Sequence, residues 1–269
     1  MTLRKFILVF ISVLTFGALS VHAEDDGKVR ILLIGDSTTE GSIPRLTDPE
    51  GPHFENMIRQ LLALEPDMPA LKVYNLGQSG DTAFRLLDSG RYDREVAPME
   101  HADYIFVRYG INDYARRQPV EENFPGDMRA VIHRLKEDFP DARIILMTSI
   151  PFMGEENSAL MNKMVFEVSK EEGLEVLDVY PAYAKALENG PNMLNYRRYP
   201  VKNIPEKYHE WIAPRVQGDR LIVMDNEFDA IFGDLPGWYG DRHPNLAGYN
   251  VIAVETVKYL LPLLRERKQ

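Results

Sequence analysis

Five short runs of branched apolar residues, each followed by a stretch with apolar positions three or four apart, constrain this chain more than any other feature. The strand-like runs are residues 29–34, 71–75, 104–108, 143–148 and 175–179. Residues 53–64 put Phe54, Met57, Ile58, Leu61 and Leu62 on one helical face, and residues 120–139 do the same with Met128, Val131, Ile132 and Leu135. Residues 155–172 predict a further helix. A last one, starting near Asn245, would bury Val251, Ile252, Val254, Val257, Leu260 and Leu261. A strand apolar at successive positions must bury both faces, and a helix between consecutive strands lets them run parallel.

The alternation predicts an α/β fold, a three-layer α/β/α sandwich of flavodoxin-like type, with a central five-stranded parallel sheet in the order 2-1-3-4-5. Residues 190–238 break the pattern. They carry Pro191, Pro200, Pro205, Pro214 and Pro236 among many aromatic residues, Trp211 and Trp238 included. They read as an elaboration before the last helix, too short and irregular to build a core of its own, with residues 220–225 as an added strand. Residues 24–269 thus read as one domain.

Residues 1–23 have the pattern of an export signal: Arg4 and Lys5, an apolar run over 6–19, then Val21-His22-Ala23 as a small-x-small cleavage site. The run is shorter than the roughly 20 residues that span a bilayer, so a periplasmic or secreted protein without stable membrane insertion is expected. The chain has no cysteine, hence neither disulfides nor thiolate metal sites. It contains no His-x-x-x-His and no carboxylate cluster with ligand spacing, so no metal and no other cofactor is expected. A net charge of −10 argues against nucleic acid as a partner, because phosphate binding needs a cationic footprint. The oligomeric state is not legible.

The chemistry gathers at the strand ends. Gly35-Asp36-Ser37-Thr38 follows the first run, so a turn presents Ser37 at the carboxyl edge of the sheet, where α/β proteins bind ligands. A serine hydroxyl needs a base within hydrogen-bond reach to act as a nucleophile. Of the six histidines, His243 alone sits in a turn braced by Pro244 and followed by an N-cap residue, Asn245. Gly80, after the second strand, and Asn112, after the third, are candidate donors to a developing oxyanion.

Four segments in order, Gly35-Asp36-Ser37, Asn75 to Thr82, Gly110-Ile111-Asn112-Asp113 and His243-Pro244-Asn245, resemble the blocks of the SGNH hydrolase superfamily, the GDSL esterases. The resemblance implies a carboxylic ester hydrolase with Ser37 as nucleophile, His243 as base, and Ser37 N–H, Gly80 N–H and the Asn112 side chain as oxyanion hole. Thr38 replaces the family's usual leucine, as in branches that deacetylate polysaccharides. The family's acid lies three residues before the histidine, where this chain has Gly240; Asp241 is two before. Three arrangements stay open: Asp241 serves through a shifted loop, another acid such as Asp234 or Glu227 substitutes, or serine and histidine act as a dyad.

The substrate expected from this resemblance is a short acyl, above all O-acetyl, ester on carbohydrate. Alternatives are a lipid-type esterase, lysophospholipase or thioesterase of the same superfamily, a carbohydrate-binding relative that has lost catalysis, and, from outside it, a flavin carrier gripping phosphate through residues 37–39. Trp211, Trp238 and Tyr239 are candidates to stack on sugar rings. Arg45, Arg116 and Arg117 are candidates to meet a uronate carboxylate.

Overall fold

The computed structural model describes residues 27–190 and 194–267. The expected export signal lies outside them. β1 (Val29–Gly35), β2 (Leu71–Gly77), β3 (Tyr104–Arg108), β4 (Arg143–Met147) and β5 (Glu175–Leu177) form one parallel sheet in the order β2-β1-β3-β4-β5. The order expected from the apolar runs is the one found.

Successive strand side chains point to opposite layers. Leu32, Ile34, Ile105, Val107, Ile144 and Leu146 face one core, and Ile31, Leu33, Phe106, Ile145 and Met147 face the other. Among the described residues, the α-helices before the last are α1 (Ser37–Glu40), α2 (Ser42–Thr47), α3 (Phe54–Ala63), α4 (Ala83–Asp88), α5 (Ile111–Arg116), α6 (Val120–Asp138), α7 (Glu155–Glu172), α8 (Tyr180–Leu187), α9 (His209–Ile212) and α10 (Asp229–Phe232). The chain then closes with α11 (Leu246–Glu266). The first core is covered by α4, α6 and α7 through residues such as Leu86, Phe124, Met128 and Met161. The second is covered by α3, α8 and α11 through Ile58, Tyr183, Ile252 and Leu260.

Register fixes where the active edge lies. Gly35 pairs with Gly77 across β1–β2 and with Arg108 across β1–β3, so the three strands end level. Ser37, Gly80 and Asn112 follow those ends by two to four residues and emerge over the same rim. At Gly77 the turn after β1 crosses so closely that a Cβ would lie 2.4 Å from the backbone nitrogen of Glu40. Only glycine admits that approach.

The elaboration corrects one expectation. It does build a core of its own, a cluster of Tyr199, Ile204, Ile212, Leu221, Val223, Phe228, Phe232 and Trp238. A three-stranded antiparallel sheet frames it: β6 (Arg197–Pro200), β7 (Val216–Gln217) and β8 (Arg220–Val223), in the order β6-β8-β7. The extra strand expected at 220–225 thus joins this small sheet and not the central one. Aromatic area explains the misjudgement: a few large rings bury enough apolar surface for a satellite cluster that a length argument overlooks.

Candidate active site

Ser37 opens the single turn of α1. Asp36 caps it, accepting from Thr38 N–H at 2.9 Å and from the Thr38 hydroxyl at 2.8 Å. From the level end of β3, the buried Arg108 donates Nη2 to the Thr38 carbonyl and lies over the Phe54 ring. Burial raises the Asp36 carboxyl, against the Thr38 hydrogen bonds and the charge of Arg108; burial likewise pulls the Arg108 guanidinium down, against Asp36. The serine therefore stands on a support buried from water. Asn75 adds a strut, donating Nδ2 to the Thr39 carbonyl at 2.8 Å and accepting from Gly77 N–H at 3.0 Å.

The loop that carries His243 is stitched to the start of the elaboration. Asn245 N–H donates to the Leu194 carbonyl at 2.8 Å, Tyr196 N–H to the His243 carbonyl at 3.3 Å, and Asn195 bridges Pro244. Asn245 also caps α11, accepting from Gly248 N–H at 3.0 Å. The imidazole is held edge-on against Phe152, with centroids 4.8 Å apart, and is stacked on Tyr196 at 5.7 Å and 15°. Its Nε2 lies 2.9 Å from Ser37 Oγ.

Asp241 reaches the ring despite its short spacing. Its Oδ1 accepts from His243 N–H at 3.0 Å and from His243 Nδ1 at 2.6 Å. Burial alone would raise the Asp241 carboxyl, but the His243 hydrogen bonds and charge, with the charge of Arg198, hold it below the usual carboxylate range. An ionised carboxylate can only accept, so Nδ1 carries the proton and Nε2 is free to take one from Ser37. Arg198 Nε grips the other oxygen of Asp241 at 2.8 Å. Glu227 instead pairs with Arg215, and Asp234 is exposed on the elaboration.

Of the candidate oxyanion donors, Gly80 has φ +77°, and its carbonyl is held by Arg116 Nη1 at 2.7 Å. Asn112 directs Nδ2 to the Asp81 carbonyl at 3.0 Å, which engages one of its two N–H bonds. Asp113, pushed by burial up to about 7 against the N–H groups it accepts from, binds Ala83 N–H at 2.9 Å and Gly110 N–H at 3.0 Å. It thereby ties the Gly80 turn to the Asn112 turn.

The structure corrects one expected sugar contact, Trp238, and places the others as follows. Trp238 is 1% exposed; it packs on Tyr199 and Phe232 and donates Nε1 to Asp229, so its ring belongs to the satellite core. Tyr239 lies under the Arg197 guanidinium, and Trp211 packs edge-on against Phe228. Arg45 is bound to Glu55 at 2.6 Å and to the Glu40 carbonyl at 2.9 Å. Arg116 holds Gly80, and Arg117 pairs with Asp127 at 2.8 Å. Each of these side chains is engaged in structure that its motif-free sequence did not betray. Arg198, Tyr196 and Phe152, which do meet the His243–Asp241 pair, carry no sequence signal either.

Two cavities meet at His243. A narrow one of about 30 Å³ is lined by Ser37, Ser42, Ile43, Ser79, Tyr196 and His243 among others. A wide groove of about 530 Å³ lies on the other side, with Phe152, Arg198 and Arg242 in its wall. Among the described residues no set of three His, Asp or Glu side chains gathers as a metal site, and no helix is long and apolar enough to cross a membrane.

A family model described as the GDSL-like lipase/acylhydrolase family matches residues 33–251. No curated protein matches the chain. Among solved structures, an acetylxylan esterase from Geobacillus stearothermophilus is 20% identical, covering 86% of this chain and 94% of its own with a TM-score of 0.54. A lipase/acylhydrolase from Enterococcus faecalis is 19% identical, with 86% and 95% covered and a TM-score of 0.55. An α/β hydrolase from the metagenome of Lake Arreo, Spain, is 21% identical, with 86% and 94% covered and a TM-score of 0.53. At these identities the likeness is one of fold.

Proposed function

Because this chain belongs to the GDSL-like lipase/acylhydrolase family, we propose that it is an exported serine esterase removing short acyl groups, acetyl above all, from carbohydrate. The observation that carries this reading is the chain of hydrogen bonds from Ser37 Oγ through His243 to Asp241 beside a narrow cavity that Ser37 and His243 line. About 30 Å³ is the room of one or two water molecules, which suits an acetyl group. The acetylxylan esterase among the similar structures supports the carbohydrate half of the reading, and residues 1–23 support export.

Ser37 Oγ attacks the ester carbonyl carbon while its proton passes to His243 Nε2. Negative charge moves to the carbonyl oxygen, where Ser37 N–H, Gly80 N–H and the second N–H of Asn112 Nδ2 are the donors we assign. The C–O bond to the alcohol breaks as the imidazolium returns its proton to the leaving oxygen. Water, deprotonated by the same nitrogen, then releases the acid and restores Ser37. Asp241 fixes the ring and steadies its positive charge throughout, and Arg198 fixes Asp241.

The test is chain length. p-Nitrophenyl acetate is expected to exceed p-nitrophenyl octanoate in kcat/KM by about a hundredfold or more, since the extra methylenes exceed the narrow cavity that Ser37 itself lines. Acetate should also be released from acetylated xylan. A preference for the long ester would favour the lipid-type alternative and contradict this reading.

A further inference from the structure

The alcohol half of the substrate must lie on the side of His243 from which the imidazolium can protonate it. His243 and Arg198 are the two residues that line both cavities, so the wide groove adjoins the nucleophile's cavity across the imidazole and the Arg198 side chain. Its charged wall is one-sided: Arg198, Arg220 and Arg242 stand against the single carboxylate of Asp241, which His243 and Arg198 already share. Neither of the other two arginines is firmly engaged. Arg220 Nε meets the exposed Asp219 at 3.4 Å, and Arg242 Nη1 meets the Phe152 carbonyl at 3.4 Å. An exposed pair of that length contributes little. Such a concentration of guanidinium groups stands out on a chain whose net charge is −10. Phe152 and Pro236 supply apolar wall beside it, as a saccharide ring requires.

Building on the esterase reading, we infer that this groove receives an anionic saccharide, bearing carboxylate or sulfate, as the alcohol half of the ester, with Arg220 and Arg242 as its specificity-determining residues. Of the arginines first assigned to such a role, Arg45 is held by Glu55, Arg117 by Asp127 and Arg116 by the Gly80 carbonyl, and the groove supplies a different set. Planar guanidinium forks suit both carboxylate and sulfate oxygens.

Three acetylated glycans with one backbone test it: dextran, carboxymethyl-dextran and dextran sulfate. At low salt the charged esters are expected to exceed neutral dextran at least about tenfold in kcat/KM, and raising salt to about 0.5 M should remove most of the advantage. The two charged arms decide between carboxylate and sulfate. In the double variant Arg220→Gln, Arg242→Gln the charged-to-neutral ratio should fall towards one. Equal rates on all three glycans, or an unchanged ratio in the double variant, would overturn the inference. Binding of the unacetylated polyanions to wild-type protein, followed by calorimetry, separates the two readings. Salt-sensitive binding lost in the double variant upholds the groove even if no ester is cleaved; absence of such binding sinks it even if p-nitrophenyl acetate is hydrolysed.

Discussion

Ser37→Ala is expected to lower kcat for acetyl-ester hydrolysis by roughly 10⁴–10⁶, with the fold intact. The hydroxyl removed is the atom 2.9 Å from His243 Nε2. Asp36, Thr38 and Arg108 hold the turn through groups the substitution does not touch. The thermal midpoint should therefore stay within a few degrees of wild type. His243→Ala should lose a similar factor, and the double variant little more than either single one, because the two side chains act as one unit. Stopped-flow or steady-state hydrolysis of p-nitrophenyl acetate reads all three. Additive losses would argue that the residues act separately.

Asp241→Asn is the second large effect, a fall in kcat of up to about 10⁴ near neutral pH. An amide can present its NH₂ to Nδ1, which then holds the opposite tautomer and leaves Nε2 protonated and unable to accept from Ser37. The substitution also removes the partner of Arg198. Stability follows a definite sign. The folded carboxyl titrates below its ordinary value, so its contribution is complete above the normal carboxylate range and fades as pH falls through the folded value. Asp241→Asn should accordingly be less stable than wild type near about pH 7, with the gap closing in strong acid. Urea unfolding across that range checks it. A gap that widened in acid would mean that the carboxyl is not ionised in the folded protein.

The sheet was legible because its strands bury both faces: Ile31 and Leu33 serve one layer, Leu32 and Ile34 the other, and such runs fit few other environments. Strand ends locate Ser37, Gly80 and Asn112 on one rim, since side chains that follow level strands must emerge together. The reach of Asp241 was not legible. It depends on a local turn in which one carboxylate oxygen accepts from both the backbone and the ring of the residue two ahead, a geometry that spacing does not reveal. Arg198 escaped notice for a different reason. It comes from an antiparallel strand of the elaboration, more than forty residues before its partner and outside any motif. Trp238 misled in the opposite direction, because composition cannot tell a ring that walls a cleft from one that fills a core.

The pairing of Ser37 with His243 is tested most directly by covalent labelling with a fluorophosphonate, followed by peptide mass spectrometry. One adduct per chain is expected, on Ser37, forming orders of magnitude more slowly in His243→Ala. An adduct on another serine, or equally rapid labelling without the imidazole, would contradict the account.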